Sequence, residues 1–191
     1  ATAGMIRAAD GKIRTFCGIK PDQEEADFSY WALKASDAAL IAYDLKANPQ
    51  VSSLNLYYNA IGDEGLKCLA AALPSSAVKN LELFGNSIGD EGIQCLSEVL
   101  PSTSLETLNL QDNAIGKDGA KFLACVLPST ALVTLNLGNN EIGAEGATLI
   151  ADVLDRVSLL TSLDVTSNFL DASSIELVRT TCATKEITLL L

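Results

Sequence analysis

Asparagine recurs at Asn59, Asn86, Asn113, Asn140 and Asn168, at spacings of 27, 27, 27 and 28 residues. Each stands in the same frame. Leu54-x-Leu56-x-x-Asn59-x-Ile61-Gly62 is followed by Leu81-x-Leu83-x-x-Asn86-x-Ile88-Gly89, Leu108-x-Leu110-x-x-Asn113-x-Ile115-Gly116 and Leu135-x-Leu137-x-x-Asn140-x-Ile142-Gly143. A fifth copy, Leu163-x-Val165-x-x-Asn168-x-Leu170, lacks the glycine and gains one residue ahead of it. A strict period of this length means that one small unit is repeated, and that neighbouring units stack to bury a core none could bury alone. Two degenerate copies flank the series. Ala26-x-Phe28 and Leu33 lie 28 residues before Leu54, Leu56 and Ile61, with Trp31 where the asparagine belongs. Ile187-x-Leu189 reads as one more strand.

Two hydrophobic periods alternate within each unit. The L-x-L core places both leucines on one side of a short strand. The segment after Ile-Gly, as in Gly65-Leu66 through Leu69, Ala70 and Leu73, follows a helical stripe that ends at proline. Equivalent helices are expected over about Gly92–Leu100, Gly119–Leu127 and Gly146–Leu154, with Pro74, Pro101 and Pro128 stopping the first three of the four. Strand–helix units in series give an α/β solenoid with a parallel sheet. Strands sit about 4.8 Å apart whereas packed helices need about 8–10 Å, so the stack bends with strands on the concave side and helices on the convex side.

The combination L-x-x-L-x-L-x-x-N-x-I-G and x-x-G-x-x-x-L-A-x-x-L-P resembles the leucine-rich repeats of the ribonuclease-inhibitor type. Ran GTPase-activating proteins and the sensor regions of NOD-like receptors share that type. The resemblance covers roughly residues 23–191 and implies a leucine-rich repeat horseshoe. The domain reading that follows is an N-terminal segment over 1–22, partly extended, and a repeat domain over 23–191. Within the latter a cap unit occupies 23–50, repeats run to 183, and a terminal strand spans 184–191.

Composition narrows the function. Of 191 residues, 13 are Lys or Arg and 24 are Asp or Glu, a net charge of −11. Nucleic acids and anionic membranes demand a basic footprint, so neither is an expected partner. No apolar run approaches the roughly 20 residues of a bilayer span, and direct membrane insertion is not expected. Histidine is absent, which removes the commonest general base and metal ligand. Cys17, Cys68, Cys95, Cys125 and Cys182 form no C-x-x-C pair. With no N-x-S/T site either, they fit a reducing, cytoplasmic setting, and organelle import after loss of a transit peptide stays open. The chain starts at Ala1 with its one methionine at Met5, which reads either as a processed or trimmed form or as four added residues, Ala1 to Gly4, ahead of Met5.

Three repeated motifs could be taken for chemistry and are read as structure. The asparagine column is expected to satisfy backbone groups where the chain leaves each strand. The acids Asp63, Glu64, Asp90, Glu91, Asp118 and Glu145 are expected to cap the helices they open, not to bind a cation. The glycine pairs are turn and packing positions without a P-loop lysine. No cofactor, metal site or catalytic residue is expected. Cys68 and Cys95 share a column with Phe122 and Leu149 and read as core, whereas Cys125 is expected to face solvent on the convex side; it and Cys17 are the favoured modification sites, although no basic residue activates either.

Function is expected on the concave columns. Tyr57, Tyr58 and Phe84 cluster in the first two repeats of a chain with five Phe, four Tyr and one Trp, and aromatics of this kind anchor interfaces. Around them Asn55, Glu82, Asn109, Gln111 and Asp112 complete the candidate partner-binding set, in columns that carry no Lys or Arg. One of the rings could instead pack on the cap near Phe28 or Trp31. The basic 1–22 segment, with Arg7, Lys12, Arg14 and Lys20, and the apolar edge at Ile187–Leu191 are secondary contact candidates, the latter for a neighbour or a second copy. The leading expectation is a non-catalytic module for a protein partner. A structural subunit contacting its neighbours through the termini is the alternative. A GTPase-activating fragment, implied by one branch of the resemblance, is disfavoured because no arginine occurs in the repeat loops before Arg156.

Overall fold

A computed structural model of the chain describes residues 6–7 and 13–191, with side chains from Phe16 onward. Two short strands, β1 (Ile6–Arg7) and β2 (Ile13–Thr15), pair antiparallel. Then strand and helix alternate: β3 (Glu25–Asp27), α1 (Ala35–Ala47), β4 (Ser53–Asn55), α2 (Gly62–Ala70), β5 (Asn80–Glu82) and α3 (Asp90–Val99). They continue as β6 (Thr107–Asn109), α4 (Lys117–Val126), β7 (Thr134–Asn136), α5 (Gly143–Leu154), β8 (Ser162–Asp164), α6 (Ala172–Thr184) and β9 (Thr188–Leu190). Strands β3 to β9 make one parallel sheet in sequence order, and the repeat register holds throughout: Leu54 lies beside Leu81, Leu81 beside Leu108, and Leu108 beside Leu135. The helices begin two or three residues earlier than the periodicity suggests. The prolines do not merely stop them, because Leu73–Ser75, Leu100–Ser102 and Leu127–Ser129 each form a 3₁₀ turn with proline near its start. Leu54, Leu56, Ile61, Leu66, Leu69 and their counterparts in later coils fill a continuous core between sheet and helices.

The asparagine column ties each coil to the one before it. The Asn140 amide donates to the Leu110 carbonyl of the preceding coil and to Leu137 of its own, both at 3.0 Å, while its Oδ1 accepts from the Ile115 N–H at 3.0 Å. Asn59, Asn113 and Asn168 repeat this pattern. At Asn86 the donor half is kept, with 2.8 Å to the Leu56 carbonyl, but the buried Oδ1 has no protein donor.

The acidic column departs from expectation. Asp63 and Asp90 sit in the first turns of α2 and α3 yet cap the helix of the next coil. Asp63 accepts from the Gly89 N–H at 2.7 Å, and Asp90 accepts from the N–H groups of Gly116 (2.7 Å) and Gly119 (2.9 Å). A Cβ at Gly92 or Gly119 would lie 2.5 or 2.6 Å from that carboxylate oxygen, so glycine makes room for the staple. The equivalent positions Ala35, Lys117 and Ala144 carry no carboxylate. In the two coils that follow Ala35 and Lys117, Gly62 and Gly143 turn left-handed (φ 57° and 66°), and their N–H groups bond the backbone carbonyls of Asn86 and Asn168 instead. The coil after Ala144 replaces the glycine by Asp171, which caps its own helix through the Ser174 N–H at 2.8 Å. The missing staple thus explains both left-handed glycines.

Removing the Asp90 staple strands two helix-terminal donors. Asp90→Ala is expected to cost about 1–2 kcal/mol and Asp63→Ala, with one bond, about 0.5–1 kcal/mol. Asp90→Asn keeps an acceptor and should lose less than half as much as alanine. Urea midpoints of the three variants check the order.

Candidate partner-binding face

In every coil the residue two after the second strand leucine leaves the strand in a left-handed backbone: Tyr30, Tyr58, Gly85, Asp112, Asn139 and Ser167 have φ between 50° and 65°. The conformation is held from outside. The N–H of each from Tyr30 to Asn139 donates to a carbonyl of the next coil, as in Tyr30 to Tyr57, Tyr58 to Phe84 and Asp112 to Gly138, at 2.8–3.0 Å. The residue between the leucines reinforces the turn. Asn55, Asn109, Asn136 and Asp164 each accept with Oδ1 from the N–H two residues on, at 2.9–3.0 Å. Asn55 and Asn109, taken from sequence as contact residues, therefore spend one side-chain oxygen on the scaffold. Glu82 cannot make that turn; it accepts from the Asn109 amide at 2.7 Å. Gln111 accepts from Asn136 at 3.0 Å, and Asp112 accepts from the Asn139 amide.

A left-handed backbone is an outlier for a bulky residue, and two tyrosines adopt it in adjacent coils. Their rings join those of Tyr57 and Phe84. Tyr30 stacks on Tyr58 (centroids 5.4 Å apart, planes at 7°), Tyr57 stacks on Phe84 (4.6 Å, 20°), and Tyr57 meets Tyr30 and Tyr58 at 5.3 and 5.0 Å. Desolvation among the rings, and then the hydrogen bond and charge interaction with Tyr30, raise the Tyr57 phenol above its ordinary value. The cluster thus reaches the cap unit through Tyr30, not through Phe28 or Trp31, which pack edge-on against each other at 5.3 Å. Tyr30 is 69% exposed and Tyr58 45%. Tyr30 was missed in the sequence because the cap lacks the asparagine, although the 28-residue offset from Tyr58 places it in the same column.

At the N-terminal end the buried Asp44 of α1 accepts from the backbone N–H groups of Phe16 and Cys17 at 2.7–2.9 Å. Ile19 is buried beside it, and the Phe16 ring meets Tyr43 edge-on at 5.1 Å. The side chains of Arg7, Lys12 and Arg14 lie outside the described residues, and Lys20 is exposed. The docking corrects the expectation for Cys17: it is half-buried, and burial followed by the Asp44 charge pushes its thiol up to about 12. Burial also lifts Cys182 to about 11. Cys125 is exposed, while Cys68 and Cys95 are half-buried like Phe122 and Leu149 in their column. Among the described residues no His, Cys, Asp or Glu group is arranged to hold a metal, and no helix is long and apolar enough to cross a membrane.

The Leucine Rich repeat family model matches residues 47–70, 78–97, 102–124 and 129–151. Together with the sheet and its register, this makes the chain an α/β leucine-rich repeat solenoid. Solved structures agree on the fold. An internalin from Listeria monocytogenes str. 4b F2365 is 23% identical over 77% of this chain at a TM-score of 0.53, and this chain spans 36% of the internalin's length. The actin-binding site 2 of leiomodin-1 is 17% identical at a TM-score of 0.52, covering 86% of this chain and 82% of its own. No curated protein matches in sequence.

The thiol environments predict an order of reactivity. Their raised values keep Cys17 and Cys182 in the unreactive thiol form at mildly alkaline pH. Iodoacetamide labelling of the native protein, read by peptide mass spectrometry, should modify Cys125 first and spare Cys17 and Cys182 until urea unfolds the chain.

Proposed function

We propose that the protein is a non-catalytic interaction module that holds a protein partner on the concave face, anchored at its N-terminal aromatic end. Leucine-rich repeats generally mediate protein–protein interaction. What carries the placement here is the Tyr30–Tyr57–Tyr58–Phe84 cluster, four rings drawn from three successive coils and left partly in solvent. Rigid, part-exposed aromatics give large contact area for little lost entropy, and they dominate binding where they occur. Strained backbone at Tyr30 and Tyr58, held by the scaffold, supports the same reading. Glu82, Gln111 and Asp112 lie beside the rings and favour a partner that presents positive charge. The 27–28-residue period with full helices on the convex side supports the ribonuclease-inhibitor type among leucine-rich repeats.

A second reading rests on the C-terminal edge. β9 is the last strand of the sheet, Leu190 and Leu191 are half-exposed, and Phe169 is 80% exposed with φ 57°. A neighbouring subunit covering that edge would make the chain a component of an assembly.

Affinity capture from native extract separates the two. Wild-type bait is compared with Tyr57→Ala/Phe84→Ala bait and with Tyr30→Ala bait, each checked for folding by circular dichroism. Tyr30 adds little to stability at its exposure, so Tyr30→Ala should fold as wild type and weaken a captured partner by about 2 kcal/mol, roughly thirtyfold. A partner held equally by all three baits would sink the concave reading and favour the C-terminal edge.

A further inference from the structure

Asp112 stands two coils beyond Tyr58 in the same left-handed column, with Gly85 between them. Because Gly85 has no side chain, the Tyr58 ring leans across it; a Cβ at Gly85 would lie 3.2 Å from the ring. The Tyr58 hydroxyl then donates to Asp112 Oδ2 at 3.4 Å, a long contact. Beneath the ring opens a depression of about 330 Å³ lined by Tyr58, Gly85, Ser87, Asp112, Asn113 and Ala114. Its walls are an aromatic ring, a carboxylate, and small or polar side chains. Both donors on Asp112, the Tyr58 hydroxyl and the Asn139 amide, are neutral. Among the described residues no Lys or Arg pairs with it. A carboxylate left uncompensated beside an aromatic ring, in a protein of net charge −11, is complementary to a cation with a flat face.

We infer that this depression receives one arginine side chain of the partner. The inference rests on the reading of this face as protein-binding and names the group that the face recognises. A guanidinium is planar and weakly hydrated, so it can slide in beside the Tyr58 ring while its N–H fork meets Asp112 Oδ2. An ammonium carries the charge but not the plane, and its hydration shell is costlier to strip. Ser87 and Ala114 line the part of the depression left for the arginine methylenes. Tyr30, stacked on Tyr58, holds the ring from the opposite side and links this pocket to the larger aromatic surface.

The test needs no partner. The full ¹⁵N-labelled chain is titrated with N-acetyl-arginine-methylamide, and in parallel with the lysine and citrulline equivalents. A saturable shift is expected at the Gly85, Ser87 and Ala114 amides with the arginine probe in the millimolar range. The lysine probe should bind at least threefold more weakly, and the uncharged citrulline probe should give no saturable shift. Asp112→Asn keeps the side-chain shape and should weaken the arginine response at least tenfold, whereas Asp152→Asn, the same charge change on the exposed face of α5, should alter it less than twofold. No saturable shift at these amides, an equal response from citrulline, or an unchanged response in folded Asp112→Asn overturns the inference. If the ring variants lose the partner in capture while the arginine probe is silent, the interface stands and the arginine pocket falls. If the probe saturates while capture ignores the rings, the pocket stands without that interface.

Discussion

Everything in this molecule hangs on the contact between an asparagine amide and the backbone of the coil before it. Each strand of the parallel sheet has three residues, too short to hold a sheet by its ladder alone, and the chain must turn out of it inside a buried rim. Peptide groups there are out of reach of water, and leaving them unpaired would cost more than a short strand returns. Asn59, Asn113, Asn140 and Asn168 meet that need by bonding two coils at once. The bond thus stabilises the stack as well as the turn, and no coil can be described apart from its neighbour.

The carboxylate staple works on the same principle with looser demands. Asp63 and Asp90 cap helices they do not belong to. Where the chain offers alanine or lysine instead, the solenoid continues with a left-handed glycine or a self-capping Asp171. A missing staple bends one turn, whereas the asparagine is present in every coil from Asn59 to Asn168. The hierarchy follows from burial: the asparagines sit among core carbonyls, while the staples join half-exposed helix ends.

A scaffold this repetitive leaves function to the departures from the repeat. The left-handed column is imposed by the turn and accepts Gly, Asn, Asp or Ser at little cost. Tyrosine at two adjacent places in it runs against backbone preference, and the external N–H bonds over-determine the conformation enough to hold it. Gly85 then lets the Tyr58 ring cross a whole coil toward Asp112. Aromatic surface and negative charge are brought together by one column of a single repeat frame.

The 27-residue period alone was enough to read the strands, the register, the solenoid and the asparagine role, because every coil solves the same local problem with the same residues. Tyr57, Tyr58 and Phe84 were legible as an unusual cluster for the same reason: columns can be read off a period. What the period could not carry was direction and reach. Whether Asp90 caps its own helix or the next depends on how far α3 and α4 are offset, which packing sets. Cys17 looked free until the segment around it docked on Asp44, a contact between residues 27 apart that follows no repeat. Tyr30 belonged to the cluster, but its unit had lost the marker that aligns it. The sequence by itself determined the coil, since local periodicity and turn chemistry are properties of neighbouring residues. Only the tertiary structure decided which side chains meet across coils, because those meetings depend on the spacing and curvature that packed helices impose on the sheet.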